Sequence, residues 1–274
     1  MTGPLAVNLD SFSVVIPSRG RANIITPTLA LFPRDAVTVV VTEAEEALYR
    51  SALPGVAVAA HPASLHGMGQ VRQWILDALP QDVIFMIDDD MYGLWSVVGH
   101  SPRRLRDPQQ ILGIVRQAAR CAAEAGTPLF GFAQTMDVRN FKAQTPFGLG
   151  GFVNGSAMGI VGRDPKLRFD PALPTKQDVD YCLQVLLHYR MIWRDFRFSF
   201  GAGGVFNHAG GNASHRTMET VRENTARLKA KWGAAVEINH EVRKTFKRDK
   251  QGKLHRHTNI SIRRLKGKTP KVDP

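Results

Sequence analysis

The sequence of 274 residues predicts an α/β fold, and two observations lead to that class. Short runs of Val and Ile alternate along the chain with segments whose apolar residues recur at helical spacing. The Val/Ile runs are apolar throughout instead of at every second residue, so their strands should be covered on both faces, as in a parallel sheet. We therefore expect a single domain with a mostly parallel, twisted sheet flanked by helices.

Four apolar runs predict the strands of the first half. The first, FSVVIP, stops at a proline, and the loop SRGR follows it. Each later run is separated from its neighbour by a segment long enough for a turn or a helix. The four predicted strands are residues 12–17, 36–41, 56–60 and 82–87.

Four segments carry apolar residues on one helical stripe. Helix signals delimit two of them: one stops at Pro80, and another has Pro108 near its start and Gly126 at its end. The segments are GQVRQWILDALP, DPQQILGIVRQAARCAAEAG, KQDVDYCLQVLLHYR and TMETVRENTARLKAKW.

The second half also carries glycine-rich apolar runs. Residues 128–135 and 150–162 are predicted strands, and FRFSFGAGGVFNH predicts another that leads to His208. The segment VRKTFKRDKQGKLHRHTNISIRR predicts a basic hairpin around the turn DKQG. With no internal repeat and no Pro/Ser-rich linker, we expect one domain over residues 1–239 and a C-terminal extension over 240–274.

Positive charge is concentrated in that extension. The whole chain has a formal net charge of +12, whereas residues 240–274 hold twelve Lys/Arg against three acids, a net of +9 that leaves +3 for the rest. Such a segment is typical of contact with a polyanion such as nucleic acid, although a solubilising or disordered tail has the same composition. The predicted DNA contacts are Arg243, Lys244, Lys247, Arg248, Lys253, Arg256, Arg263 and Arg264.

Several protein classes are disfavoured by what the sequence lacks. No window approaches the roughly 20 apolar residues of a membrane span, and the first residues do not resemble a signal peptide. Cys121 and Cys182 lie in predicted helices and are expected to be reduced core thiols. We therefore expect a cytoplasmic protein, in the host cytoplasm if it is phage-encoded, with no membrane partner.

Three consecutive aspartates, Asp88, Asp89 and Asp90, follow the fourth predicted strand. Adjacent carboxylates repel one another, so they call for a compensating cation or for an exposed turn screened by water. Ligands of open parallel sheets bind beyond the carboxyl ends of the strands, and carboxylate oxygens suit Mg²⁺ or Mn²⁺. The triplet alone leaves both a metal site and an acidic turn open.

Four other motifs follow the pattern of a phosphate-binding and catalytic site. PSRGR and the glycine-opened helix HGMGQVRQW supply arginines suited to phosphate groups. TKQDVDYC supplies Asp178 and Asp180, which point about 200° apart on a helix, so only one should face a given cleft. FNHAGGNASHR places His208 directly after a strand. Each motif alone has an ordinary structural explanation, but their combination and order favour a site.

This order of motifs resembles that of GT-A-fold glycosyltransferases. The matching features are VVIPSRGR near the start, IDDD as the D-x-D motif, QDVD at the place of the family's acidic base motif, and a later histidine. The resemblance covers residues 12 to 216. Within the fold, the pattern is most similar to phage-type DNA glycosyltransferases that modify hydroxymethylated pyrimidines and are associated with base-hydroxylating dioxygenases.

The resemblance implies roles for individual residues. Asp178 would deprotonate the acceptor hydroxyl and so invert the anomeric carbon, and Asp90 with His208 would bind Mn²⁺ or Mg²⁺. Arg72 would contact the sugar or the diphosphate, and Glu43 would lie near the uracil. The implied substrate-binding set is Pro17, Ser18, Arg19, Arg21, Glu43, Arg72, Asp88, Asp89 and Asn154.

The sequence departs from the commonest family pattern at two places. Gln177 stands where Glu is frequent, which leaves the choice between Asp178 and Asp180 as base open. Glu43 replaces the usual acid pair after the second strand, which leaves the nucleotide contacts open.

The predicted function is metal-dependent transfer of a sugar from a UDP-sugar to a hydroxylated base in DNA, with 5-hydroxymethylcytosine as the first choice. Three alternatives remain open at this point: a GT-A enzyme acting on a saccharide, lipid or protein, a non-catalytic nucleic-acid-binding protein, and a sugar-nucleotide pyrophosphorylase. The last lacks the glycine- and lysine-rich N-terminal signature expected of it. The sugar itself and any protein partner are not specified by these motifs.

Overall fold

The computed structural model describes residues 3–202 and 218–239, together with the backbone of three short strands at 247–248, 254–255 and 259–262. Six helices lie within these residues. They are α1 (Thr26–Leu29), α2 (Glu46–Ala52), α3 (Met68–Ala78), α4 (Pro108–Glu124), α5 (Gln177–Tyr189) and α6 (Met218–Trp232). All four helices predicted from apolar stripes are present as α3 to α6.

The largest sheet has eight strands, which are β1 (Phe12–Pro17), β2 (Val37–Thr42), β3 (Ala57–His61), β4 (Val83–Ile87), β7 (Leu129–Phe132), β8 (Phe147–Gly148), β9 (Ala157–Val161) and β10 (Trp193–Asp195). Their order in the sheet is β3-β2-β1-β4-β9-β7-β10-β8. Pairing is parallel across the β3-β2-β1-β4 half and between β7 and β10, and antiparallel at the other three junctions.

Six of these eight strands run in one direction, because β9 and β8 alone are reversed. The strands β1, β2, β3, β4, β7 and β10 therefore end at the same side of the sheet, which we call the carboxyl edge. The starts of β9 and β8 reach this edge as well, since Ala157 pairs with Ile87 and Phe147 pairs with Asp195. Ligand sites of such sheets lie at this edge.

Both faces of the sheet are covered, as the continuous apolar runs predict. Along β4 every residue is buried, with Phe85 in one hydrophobic cluster and Met86 in the other. Helix α4 contributes to the first cluster, and α3 and α5 contribute to the second.

A second sheet begins directly after the aspartate triplet, and of its three strands the sequence predicted only the one in FRFSFGAGGVFNH. Its antiparallel strands are β5 (Met91–Ser96), β6 (Arg103–Leu105) and β11 (Phe198–Ala202), in the order β11-β5-β6. The run MYGLWS is too short and too mixed to show a strand by periodicity, and its pairing with β11, about a hundred residues away, provides its hydrogen bonds.

The predicted strand over 150–162 forms only in its last part. Residues 149–156 are a loop, and pairing begins at Ala157, where β9 inserts between β4 and β7. Glycine-rich chain has few side chains to bury and a high conformational freedom, so the apolar content of this segment overstated its strand length.

The basic extension contains the predicted hairpin. Strand β13 (Lys247–Arg248) pairs antiparallel with β14 (Leu254–His255), and the segment DKQG between them lies outside the described residues. A pairing that was not predicted joins β12 (Val236–Asn239) to β15 (Asn259–Ile262). In the described part of the chain, none of the helices is long and apolar enough to cross a membrane.

Candidate active site

The aspartate triplet forms the connection between β4 and β5 at the carboxyl edge, and its three carboxylates have different surroundings. Asp89 is 5% exposed, whereas the side chains of Asp88 and Asp90 are 36% and 19% exposed. The Asp89 carboxylate accepts hydrogen bonds from Ser18 Oγ at 2.6 Å and from Arg21 Nη1 at 2.5 Å. The turn therefore directs one carboxylate into the protein and leaves two partly accessible.

Arg21 compensates much of the negative charge at this turn. Its Nη1 atom lies 2.5 Å from Asp89 and 3.8 Å from an oxygen of Asp90. The guanidinium group is largely buried, and interactions between charges strengthen when water is excluded. The cation expected from the sequence is thus supplied, for Asp89, by the protein itself.

Tyr49 of α2 also belongs to the hydrogen-bond network that joins Ser18, Arg21 and Asp89. Its hydroxyl is 2.7 Å from Ser18 Oγ and accepts a hydrogen bond from the backbone N–H of Arg21 at 2.9 Å. The tyrosine is fully buried, and burial raises the pKa of its hydroxyl, which therefore stays protonated. Ser18, Arg21 and Asp89, expected from the resemblance to contact substrate, hold the loop after β1 to the aspartate turn.

The remaining residues of that loop are placed differently. Arg19 is exposed, and Pro17 is buried at the end of β1. Gly20 has a φ of +67°, and its N–H donates to Glu45 Oε1 at 2.7 Å. Glu43, the acid expected near the nucleotide, accepts a hydrogen bond from the backbone N–H of Ala63 at 3.2 Å, and its contact with the nucleotide stays a prediction. Glu45 is thus the acid that contacts this loop, and the sequence reasoning missed it.

Arg72 of α3 lies behind Asp88. It is 3% exposed, and its Nη2 atom donates to the carbonyl oxygen of Gly155 at 2.5 Å and lies 3.4 Å from Asp88 Oδ1. Its Nε atom is buried without a hydrogen-bond partner among the described residues. Arg72 therefore connects the turn to the loop of residues 149–156.

Gly155 connects Arg72, which lies next to the aspartate turn, to Asp178 at the start of α5. Its N–H donates to Asp178 Oδ2 at 3.0 Å, and its carbonyl accepts from Arg72. The next carbonyl, that of Ser156, accepts from the backbone N–H of Asp88 at 2.9 Å. A Cβ atom at position 155 would meet Arg72 Nη1 at 2.3 Å, so the close approach requires glycine.

Only one of the two candidate bases faces this loop. Asp178, in the first turn of α5, is half-buried and bonded to Gly155. Asp180 is 0% exposed and points to α6. Its carboxylate accepts from Trp232 Nε1 at 2.7 Å, from Gln184 at 2.7 Å and from Lys231 at 2.9 Å. The two side chains diverge, as their helical spacing predicts, and Asp178 is the one at the carboxyl edge.

A family model described as TET-Associated Glycosyltransferase matches residues 12–211, well over half of the chain. The chain belongs to this family. The prediction of a glycosyltransferase is thereby confirmed at the level of the family, and the matched range includes Arg72, Asp88, Gly155 and Asp178.

Solved structures with a similar fold include TarS of S. aureus in complex with UDP-GlcNAc. It is 14% identical, with a TM-score of 0.50, over 80% of this chain and 66% of that one. A mannosyltransferase from Pyrobaculum calidifontis in complex with GDP-Man and Mn²⁺ is 12% identical, with a TM-score of 0.47, over 72% of this chain and 58% of that one. This member of the TET-associated glycosyltransferase family thus spans about two thirds or less of these neighbours' length. The predicted GT-A-like α/β fold is confirmed. No curated protein matches the chain.

In this member of the family, Asp88 and Asp90 would supply oxygen ligands for a divalent cation. Both carboxylates are partly exposed at the carboxyl edge, and hard carboxylate oxygens are the donors that Mg²⁺ and Mn²⁺ prefer. Among the described residues, no group of three or more His, Cys, Asp and Glu is gathered as a metal site. His208, the second expected ligand, lies outside the described residues, as do Arg243, Lys244, Lys253, Arg256, Arg263 and Arg264.

The residue Asn154 was expected in the substrate-binding set. Its side-chain oxygen accepts from the N–H of Ser156 at 3.1 Å, which closes the turn that presents Gly155. Sequence reasoning did not assign a role to Tyr49 or Gly155, although Gly155 lies in the glycine-rich run of residues 150–162. The glycine-rich stretch GLGGFVNG was the available signal for a close backbone approach.

Proposed function

We propose that this protein transfers a sugar from a UDP-sugar to the hydroxyl group of a hydroxymethylated base in DNA, with 5-hydroxymethylcytosine as the first candidate. Membership of a family named for its association with TET supports a hydroxylated base as acceptor, because enzymes of that class hydroxylate methylated bases. The complex of TarS with UDP-GlcNAc supports a nucleotide-sugar donor. We also propose that the reaction takes place in the cytoplasm.

One observation carries the proposal. The peptide segment at Gly155 is held by Asp178 on one side and by Arg72 on the other, and Arg72 in turn contacts Asp88. A carboxylate able to act as a base is thereby connected to a carboxylate able to act at the donor. Transfer requires both reactants to be held in a defined relative position, which such a connection provides.

The donor side is formed by Asp88 and Asp90, with Arg72 and Arg21 behind them. A divalent cation bound at these carboxylates, with His208 as a further ligand, would stabilise the charge that develops on the departing diphosphate. Arg72 orients Asp88, and Arg21 holds the turn in place through Asp89. The loop of Pro17, Ser18 and Arg19 lines the nucleotide side in this proposal, with Glu45 supporting Gly20.

The acceptor side is formed by Asp178. In the proposed reaction, the Asp178 carboxylate takes the proton of the hydroxymethyl group on the nucleobase. The hydroxyl oxygen then attacks the anomeric carbon of the donor sugar as this proton leaves. The bond from that carbon to the diphosphate oxygen breaks, UDP departs with the electron pair, and the anomeric configuration inverts. The N–H of Gly155 fixes the orientation of the carboxylate during this step.

The direct test is to incubate the protein with hydroxymethylated DNA, Mn²⁺ or Mg²⁺ and a panel of nucleotide sugars, and to measure the mass of the released bases. We expect a mass increase equal to one sugar residue, with one sugar nucleotide strongly preferred. DNA that binds to the protein but gains no mass with any donor would rule out the proposed function.

The role of Asp178 is tested by Asp178→Asn, which preserves size but removes the basic carboxylate. We expect kcat to fall about 10²- to 10⁴-fold, the range typical of general base catalysis, with the Kd for the sugar nucleotide unchanged. The matched control is Asp77→Asn, the same change at an exposed carboxylate of α3, which should leave kcat unchanged. A variant at position 178 that retains kcat would show that another group removes the proton.

A further inference from the structure

Two large apolar side chains, Phe147 and Leu149, are exposed two residues apart in sequence, where β8 meets the loop that leads to Gly155. We call this pair the apolar tip. Phe147 is 39% exposed and Leu149 48% exposed, and they are two of the five large hydrophobic residues exposed in the described part of the chain. Exposed apolar residues that occur as a group mark a contact surface more often than scattered ones.

The apolar tip lies at the same edge of the sheet as the candidate active site. Phe147 pairs with Asp195, the last residue of β10, and β10 runs parallel to β4 through β7 and β9. Between β4 and β8 lie four strand spacings, about 19 Å at about 4.8 Å each. An acceptor bound across this edge could thus reach both the apolar tip and Asp178, provided that it is a long molecule.

The loop physically joins the apolar tip to the site. Phe152 O accepts from Arg194 at 3.2 Å and from Gln134 at 2.9 Å, and Val153 contacts the thiol of Cys182. The next residues carry the hydrogen bond from Gly155 to Asp178. The loop is therefore pinned at several points between its exposed tip and its catalytic end.

The charges around the apolar tip favour an anionic partner. No Asp or Glu occurs between residues 138 and 156, whereas Arg139 and Lys142 do, and Arg139 forms an ion pair with Asp137 at 2.6 Å. Beneath the loop, the half-buried Arg194 guanidinium lies 4.6 Å from the Phe196 ring centroid, and its Nε has no hydrogen-bond partner among the described residues. In that same part of the chain, no carboxylate lies within ion-pair distance of Arg194.

Aromatic and cationic groups are interleaved here as well. The Arg197 guanidinium lies 4.7 Å from the Phe147 ring centroid, and the Trp193 ring centroid lies 5.2 Å from the same ring. Arg197 also forms an ion pair with Asp195, which holds it against the ring. Stacking faces beside cations are the combination that binds nucleic-acid bases and phosphates without sequence readout.

We propose that the apolar tip and the arginines beneath it form a binding surface for the DNA acceptor, in which Phe147 and Leu149 contact the bases next to the modified one. This inference rests on the proposed function, because it assumes a DNA acceptor that reaches Asp178. A base modified within a duplex must leave the stack, and apolar side chains then cover the neighbours that it leaves. The basic extension is a separate region of the chain.

The test compares Leu149→Ser and Phe147→Ala with the wild-type protein. We expect the Kd for a fluorescent hydroxymethylated DNA, measured by anisotropy, to rise about fivefold for the first variant and about tenfold for the second. The KM for DNA should rise in parallel, with the KM for the sugar nucleotide unchanged. Transfer to the mononucleotide 5-hydroxymethyl-dCMP should keep its wild-type kcat/KM, because that acceptor does not extend to the tip.

The matched control is Leu48→Ser, the same change at a leucine that is 58% exposed on α2, near the opposite end of the sheet. It should leave all four quantities unchanged. An unaltered DNA Kd in both tip variants would overturn the inference, and so would an equal loss of transfer to DNA and to the mononucleotide. If the tip variants weaken DNA binding but the wild-type protein transfers no sugar, the apolar tip is a DNA-binding surface and the proposed function is wrong.

Discussion

At the residue scale, the aspartate triplet shows how three neighbouring carboxylates can coexist. Their repulsion is relieved because the backbone turn points Asp89 inwards, towards Ser18 and Arg21, and leaves Asp88 and Asp90 at the surface of the edge. The central residue then holds the turn to the loop after β1, and the outer two are partly exposed at the carboxyl edge. Three identical neighbouring residues thus have different surroundings.

Tyr49→Phe tests this network. The change removes the acceptor of the Arg21 N–H and the partner of Ser18 Oγ, so we expect a loss of about 1–2 kcal/mol in the free energy of unfolding. The KM for the sugar nucleotide should rise several-fold, because the loop is no longer held in position.

The control for that experiment is Tyr189→Phe. The Tyr189 hydroxyl donates to Asp164 at 2.8 Å, at the far end of α5 from the site. We expect a loss of stability without a change in KM. Equal effects of the two variants on KM would contradict a positioning role for Tyr49.

Gly155→Ala tests the connection between the two sides of the site. The added Cβ would meet the Arg72 guanidinium at 2.3 Å, so we expect the arginine to shift and kcat/KM to fall at least tenfold. Gly113→Ala is the matched control, since a Cβ at this exposed position of α4 meets nothing within 4 Å. That variant should keep its activity and gain about 0.5–1 kcal/mol of stability. Wild-type activity in Gly155→Ala would show that the arginine position is unimportant.

At the element scale, α6 holds α5 in place and thereby sets the direction of Asp178. Trp232 and Lys231, at the end of α6, both bond to the buried Asp180 carboxylate, two residues from Asp178. Lys231 also bonds to Asp170 at 2.9 Å, in the segment before α5. The acidic pair of the QDVD motif therefore divides into a residue that anchors the helix and a residue that faces the edge.

Asp170→Asn tests the surface part of this anchor by its pH dependence. Burial acts to raise the pKa of Asp170, but hydrogen bonds from Lys231 and the Ala172 N–H outweigh it and lower the pKa. A lowered folded-state pKa stabilises the fold above the unfolded value of about 3.9, and this contribution is lost as the pH falls through the folded value.

We expect the variant to be about 0.5 kcal/mol less stable at pH 7, a small effect because Lys231 is 40% exposed and solvent screens the pair. The difference should narrow as the pH drops below about 4. Urea unfolding at pH 7, 5, 4 and 3 measures it, and a difference that stays constant over this range would contradict the assignment.

At the scale of the whole molecule, the order of the strands assembles the site. Strands β1 and β4 lie side by side, although their carboxyl ends are about 70 residues apart in sequence, so the loop after β1 meets the aspartate turn. The reversed strand β9 begins beside the end of β4 and delivers Gly155 to the same place. Charge is likewise distributed over the molecule, since most of its excess lies after residue 239.

The basic extension is tested by Lys247→Gln with Arg248→Gln. If these residues contact phosphates, affinity for DNA should fall, and the slope of log Kobs against log salt should decrease by up to about 1.8, or about 0.9 for each contact. The control replaces two exposed arginines elsewhere, Arg106→Gln with Arg120→Gln, and should change neither quantity. An unchanged slope in the extension variant would remove these two residues from the DNA contacts.

Much of the fold could be predicted because its signals are local. The Val/Ile runs, the helix ending at Pro80 and the helix opened by Pro108 all depend on neighbouring residues, and each appears within a few residues of its expected place. The second sheet and the loop over 149–156 could not be predicted in this way. Their conformation depends on partners far along the chain, such as the pairing of β5 with β11.

The sequence by itself determined the α/β class, the position of the acidic turn after a buried strand, the basic extension and the resemblance to glycosyltransferases, which the family match confirms at the level of the family. Only the tertiary structure decided that Asp89 turns inwards, that Asp180 anchors α6 and that Asp178 meets Gly155. Spacing along a helix or turn shows that two carboxylates diverge, but not which one is buried. That choice is made by packing and hydrogen bonds between segments distant in sequence, because a buried carboxylate is stable only where such partners exist.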